Sequence, residues 1–327
     1  PSAQIRLSSG QPGTAAIIRT RGPISAASSG TPVVIIDGVR VDNLNSNPQL
    51  GIATGGANVS ALADIPVESI ERIEYIKGGA ATTLYGADAA NGIIQIITKK
   101  GKDGKSSAFF ESNVGAIKAT KDFLRYDRTG DVIFQPGWSQ QFRVGLSGGS
   151  EKFTYNFGGS LYKDDSYNDI NEQIRRTFTF GLTAKVTDKL RYQGSLSFVN
   201  FNSNLDYNAN TSFSRFSNLE GSARGATDEF TDAEFQEETA RYQRIGKLVD
   251  IVSTTNRITA SNKFIYDIDE NFQVNATLGV DNRNTVQEEL QSNALLVELG
   301  SLAPGTTDQG SLTRVLRSAF TVTTDVN

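Results

Sequence analysis

Beyond about residue 106 the chain alternates apolar and polar residues with a period of two, the mark of half-buried strands. The alternating stretches run for about ten residues, the length at which a tilted strand crosses a bilayer. Phe142, Val144 and Leu146 alternate with Arg143, Gly145 and Ser147. Phe153, Tyr155, Phe157 and Leu161 share one face against Thr154, Asn156, Gly158 and Ser160. The same division holds for Phe178 to Val186, Leu190 to Phe198 and Phe272 to Val280, and more weakly for 108–117, 257–268 and 312–324. Eight strands are therefore expected. Their connections alternate without exception between tight turns (148–152, 187–189, 267–271) and long links (118–138, 163–174, 202–252, 285–311). A soluble sandwich also alternates apolar and polar positions. Strand length, aromatic strand ends and the short/long order together point to an outer-membrane barrel instead, with turns on one side and loops on the other. Phe142, Phe157, Phe180 and Leu278 should then face lipid. Arg143, Asn156, Thr179, Lys185 and Gln193 should line the lumen.

The first 105 residues have a different rhythm. Val33 to Ile36 is a short apolar run ended by Asp37-Gly38, Ile70 to Ile76 alternates apolar and charged residues, and Ile93 to Thr98 is β-branched. Ala80 to Gly86 could form about one helical turn. This reads as a mixed α+β domain, residues 1–105, followed by antiparallel transmembrane strands, residues 106–327. An eight-stranded barrel is filled by its own side chains, whereas barrels of about 22 strands hold a plug. A domain of about 100 residues has a radius of gyration near 13 Å. It does not fit the smaller barrel. With no Met in the chain and an end at Asp325-Val326-Asn327, where a turn is due, the strands read as the first eight of about 22.

Composition narrows the chemistry. The longest aliphatic run, Val33 to Ile36, is far short of the roughly 18 residues of a transmembrane helix. With neither Cys nor His, thiolate and imidazole catalysis, disulfides and Cys/His metal sites are excluded. A net charge of -4 makes no electrostatic case for nucleic acid. No enzymatic function, cofactor or metal site is expected.

Four blocks, taken in order, resemble the plug of TonB-dependent outer-membrane transporters. They are Arg19-Thr-Arg-Gly22, Pro32-Val-Val-Ile-Ile-Asp-Gly-Val-Arg-Val-Asp-Asn43, Ile70-Glu-Arg-Ile-Glu-Tyr-Ile-Lys-Gly78 and Leu84-Tyr-Gly-Ala-Asp-Ala-Ala-Asn-Gly-Ile-Ile-Gln-Ile-Ile-Thr-Lys-Lys-Gly101. The second and fourth are similar to the SusC/RagA branch, with Asp88 where that branch often carries Arg. The resemblance implies active import across the bacterial outer membrane, with TonB pulling the plug. A SusD-like surface lipoprotein would act as lid over a glycan or oligopeptide cargo. A siderophore or metal-chelate receptor is the alternative within transport, and a plugged structural or secretion-complex barrel is the alternative outside it. The resemblance also implies buried Arg–carboxylate pairs between plug and wall. Arg19, Arg21 and Arg72 are the candidates, Arg21 first, because a guanidinium holds a carboxylate through two bonds and stays charged when desolvated.

Other features weigh less. Asp37-Gly38 is most simply a turn, and the plug glycines lack nucleotide-loop spacing. Asp164, Asp165 and Asp169 lack EF-hand spacing and read as a solvated loop. In the link 202–252, Thr231-Asp-Ala-Glu234 is a capping box. Phe235, Tyr242 and Ile245 follow at helical spacing, with Gly246 suited to the residue after the helix. A helix from Asp232 to Ile245 is expected, with Thr231, Phe235 and Tyr242 as its defining residues.

Overall fold

The computed structural model describes residues 4–7, 16–19, 31–41, 62, 64–207, 214–220, 230–305 and 312–326. In the N-terminal domain β1 (Gln4–Leu7) and β2 (Ala16–Arg19) form a two-stranded antiparallel pair. A second sheet has the order β4-β3-β6-β5, from β3 (Val33–Ile36), β4 (Val39–Val41), β5 (Ile70–Ile76) and β6 (Ile93–Thr98). β3 runs parallel to β6, and the other neighbours are antiparallel. Asp37 (φ 49°) and Gly38 (φ 87°) make the two-residue connection of β3 to β4. Positive φ at both positions is what a tight hairpin between twisted strands requires. β3 is buried on both faces. Val34 and Ile36 pack with Val41, Ile65 and Ile96, while Ile35 packs with Ala81, Ala89 and Ile93. Ala81 comes from α1 (Gly78–Tyr85), a longer helix than the single turn expected, which stops at Gly86 (φ 79°).

The second region is one antiparallel sheet of eight strands in chain order. They are β7 (Gly104–Ile117), β8 (Gly137–Ser150), β9 (Phe153–Asp164), β10 (Glu172–Lys185), β11 (Leu190–Asn204), β12 (Asp250–Asp267), β13 (Gln273–Gln291) and β14 (Leu312–Val326). Eight strands and the alternation of short and long connections match the expectation. β13 runs to Gln291, so the last long link starts later than residue 285.

The sheet is inside out by the standard of a soluble protein. Thr177, Thr179, Ser253, Thr255, Arg257, Asp281 and Thr285 are buried, whereas Phe157, Phe178, Leu196, Ile258 and Leu278 are exposed on the opposite face. Phe157 and Phe180 are register partners on that outward face, with ring centroids 4.8 Å apart. Phe142 lies there with Val144 and Leu146, and its register partner is Leu161. Aqueous folding buries apolar surface, so an exposed band of this kind belongs against something other than water.

The long links carry helices: α2 (Asp127–Ile133), α3 (Arg215–Glu220), α4 (Asp232–Leu248) and α5 (Asn293–Glu298). Their apolar residues, among them Val132, Leu219, Tyr242, Ile245 and Leu295, form one core with Phe201, Leu205 and Ile251 from the strand ends. The loops are thereby tied to the wall.

Candidate functional site

The site is the contact between the small domain and the polar face of the strands. A close approach of backbones makes it possible. A Cβ on Gly279 of β13 would lie 1.9 Å from Val39 Cγ2, so only glycine lets the β3–β4 hairpin sit there. Next to it Ser261 on β12 donates to the Asp37 carbonyl at 2.8 Å. Asp37 has more than a turn role: its carboxylate accepts from the Thr98 backbone N–H at 3.0 Å and lies 3.6 Å from Lys100 Nζ. Lys100 in turn reaches Gln193 Oε1 at 3.4 Å, and Thr154 donates to the Lys100 carbonyl at 3.1 Å. The Glu68 carboxylate accepts from Ser160 of β9.

Four buried charges form the centre. Arg257 and Arg283 are direct register partners on β12 and β13. Like charges placed opposite each other repel, so each needs an anion. Arg257 holds Asp281 through two bonds, 2.8 and 2.9 Å, with Thr259 adding a third at 2.6 Å. Arg283 Nε donates to Asp64 Oδ2 at 2.6 Å, and Arg257 lies 4.0 Å from the same oxygen. Asp64 belongs to the small domain and is fully buried. Burial pushes its carboxyl up, and the two guanidinium groups act against that shift. Among the described residues, Asp64 Oδ1 and Arg283 Nη2 have no hydrogen-bond partner. A cavity of about 30 Å³ is lined by Asp64, Thr98, Asn156, Thr179, Ser197 and Arg257 among others. That is room for about one water molecule.

The expected contact residues fall differently. Arg19 pairs with Gln4 along β2, and its side chain and the whole of Arg21 lie outside the described residues. Arg72 needs correcting. It sits on the outer strand of the small sheet, half exposed, and bonds Glu74 on its own strand at 2.8 Å. Glu74, two residues on along the same strand face, satisfies it locally, with Glu71 3.9 Å away, so it bonds no wall residue among the described residues. Where the structure joins domain and wall, the polarity is reversed: the domain supplies the carboxylate and the wall supplies the arginines. Of the lumen candidates, Asn156 and Thr179 line the cavity and Gln193 meets Lys100. Arg143 bonds its register partner Glu111, and Lys185 bonds Asp188 at 3.0 Å near a tight turn. Neither of these two touches the small domain through a polar bond among the described residues. Thr277 lies under Gly38.

In the loops, Thr231 and Glu234 form the expected capping box. Phe235 lies under the Arg128 guanidinium, 3.9 Å from its ring centroid, and Tyr242 is buried in the loop core. The helix continues to Leu248, two residues past the expected stop at Gly246. Gly246 is there for space: a Cβ would lie 2.7 Å from both Arg215 Nη1 and Asp169 Oδ2. Buried Arg215 bonds Asp169 at 2.7 Å and Asp206 at 2.9 Å. Asp169 is therefore part of a loop clamp rather than a solvated carboxylate, while Asp164 accepts from Tyr162 and Asp165 bonds Lys163.

Residues 1–93 match the TonB-dependent Receptor Plug Domain. Residues 1–93 thus carry the plug domain of TonB-dependent receptors. Its sequence is 37% identical over 118 residues to the TonB-dependent receptor SusC of Bacteroides thetaiotaomicron, an alignment covering 36% of this chain and 11% of that protein. In fold the chain is similar to the RagAB peptide importer in its open-open state, with TM-score 0.68 and 16% identity over 97% of this chain and 40% of that one. The siderophore receptor PirA of Acinetobacter baumannii is similar over the same shares, with TM-score 0.56 and 18% identity. The chain thus spans about two-fifths of the length of these two solved structures.

Proposed function

We propose that the chain is the plug (1–105) and first wall strands (106–327) of a transporter that imports a large nutrient, a glycan or an oligopeptide, across the bacterial outer membrane. TonB would supply the pull, and a SusD-like surface lipoprotein would cover the loops. The observation that carries this reading is the seating of the domain on the polar face of an inside-out sheet through buried charges. Such a contact holds the domain in register while closing the passage. The chain's own carboxylates and arginines do no chemistry on a substrate here; they set the force at which the plug moves. The sequence likeness to SusC and the higher TM-score to RagAB favour glycan or peptide over a metal chelate. The siderophore reading stays the alternative because a rhizobactin receptor of Rhizobium meliloti is 28% identical over 183 residues. Uptake of labelled oligosaccharides, peptides and ferric chelates by cells with and without TonB decides between them. Loss of glycan or peptide uptake without TonB is the expected result. Uptake of chelate alone would support the alternative, and uptake unaffected by TonB would remove the transporter reading.

A further inference from the structure

On the outward face of five neighbouring strands the apolar band ends at a row of polar residues, beyond which Asn202, Thr254, Asn284 and Glu288 are interspersed with Ile174, Val252 and Val286. From Leu190 to Asn200 on β11 is about 33 Å of strand at about 3.3 Å per residue. A tilt of about 40° reduces that to about 25 Å, the height of a lipid-facing apolar band. The polar line passes through Lys163, Arg176, Asn200, Asn256 and Asn282 on successive strands. Arg176, Asn200 and Asn256 are in register, whereas Lys163 pairs with Ile174 and Asn282 with Ile258, one row to either side. The line is thus oblique to the register, as a level boundary on tilted strands must be.

Along this line the side chains bond one another. Arg176 Nη1 donates to Asn200 Oδ1 at 3.1 Å, and Asn200 Nδ2 donates to Asn256 Oδ1 at 2.9 Å. Asn202 also donates to Asn200 Oδ1, and Thr254 donates to Asn202 Oδ1. A guanidinium only donates. It therefore turns the Asn200 carbonyl toward itself, which turns the Asn200 amide group toward Asn256, whose own amide group then points away along the row. The carbonyl oxygens of Asn200, Asn202 and Asn256 are all engaged, while among the described residues N–H groups of Arg176 and Asn256 are left over. Arg176 bonds no carboxylate among the described residues. The nearby acids Asp165 and Glu172 are held by Lys163 at 2.9 and 3.4 Å. By contrast Asn262, inside the band, is satisfied by the Tyr192 hydroxyl at 2.6 Å.

We propose that the row Arg176–Asn200–Asn256 is a docking site for a phosphate monoester of a bisphosphorylated diglucosamine glycolipid, a dianionic group, at the outer boundary of the apolar band. A row of free donors around one unpaired cation fits an anionic oxygen-rich group. The inference rests on the reading of the sheet as a membrane wall. The test is native mass spectrometry of the full-length protein in detergent, with a bisphosphorylated diglucosamine lipid and, separately, phosphatidylethanolamine. The wild type should retain the phosphorylated glycolipid, and R176Q/N256A should retain it about tenfold less, the loss of a charge-assisted contact. Equal retention by both proteins, or equal retention of phosphatidylethanolamine by the wild type, overturns the proposal. Oxygen accessibility of spin labels at Phe178 and Leu196 separates the two levels. Lipid-type values with unchanged retention sink only the docking site, and water-type values sink the wall reading beneath it.

Discussion

Asp64 and Arg283 are each other's answer in a buried place. Removing one strands the other, and breaking a buried pair of this kind costs about 3–5 kcal/mol. Asp64→Ala should therefore loosen the plug, seen as faster proteolysis of the small domain and greater leakage of large antibiotics. Asp64→Ala combined with Arg283→Leu should recover part of that loss; additive damage in the double variant would show that the two do not act as a pair. Gly279→Ala should unseat the hairpin as well, since Val39 occupies the space its methyl would need. The resemblance implied that arginine and carboxylate would meet between plug and wall; Arg21, its first candidate, lies outside the described residues, and Arg72 is held on its own strand. Arg72 stands in an alternating strand that also supplies its own glutamates, and pattern cannot tell a neighbour's carboxylate from a distant one. Asp64 carries no pattern of its own. The readable clue was on the wall, where Arg257, Asp281 and Arg283 occupy inward positions of strands whose other inward residues are mostly uncharged.

At the scale of elements, α4 was legible because its start rests on local chemistry. Thr231 accepts from the Glu234 backbone N–H, and the Glu234 carboxylate accepts from the Thr231 N–H at 2.8 Å. Thr231→Ala should destabilise the helix by about 1 kcal/mol, measured as faster hydrogen exchange in its first turn. Its end was not legible, because Gly246 answers to Arg215, thirty-one positions earlier in its own link, and to Asp169 from another link, which no local rule contains. Gly246→Ala should cost about 1–3 kcal/mol through overpacking and should free α4 from the clamp rather than lengthen it. The helix is also docked on α5: Arg244 bonds Glu298 at 2.7 Å, which holds the Glu298 carboxyl below its usual value. A lowered carboxyl in the folded state stabilises above the unfolded value near 4.3 and loses that contribution as pH falls through the folded one. Protection of α4 should therefore fall as the pH drops below about 4, and Arg244→Ala should flatten the dependence.

Across the whole molecule, the period-two pattern carried the strands, their number and their faces, since a strand's register turns every residue in or out at once. Spin labels at Phe142, Phe157, Phe180 and Leu278 should report lipid, and labels at Arg143, Asn156, Thr179 and Thr277 should not. Leu278→Arg should cost about 2–4 kcal/mol if placed at mid-bilayer depth. The meeting of plug and wall was beyond any periodicity, because it joins residues 219 positions apart, as between Asp64 and Arg283. That meeting has a consequence for the open passage. With Asp64 withdrawn, Arg257, Asp281 and Arg283 leave the bare wall one positive charge in excess, set in a groove whose low-dielectric surroundings carry its field outward. The vacated berth keeps an electrostatic address for its occupant. Reseating should then be guided rather than random, and it should slow as salt is raised.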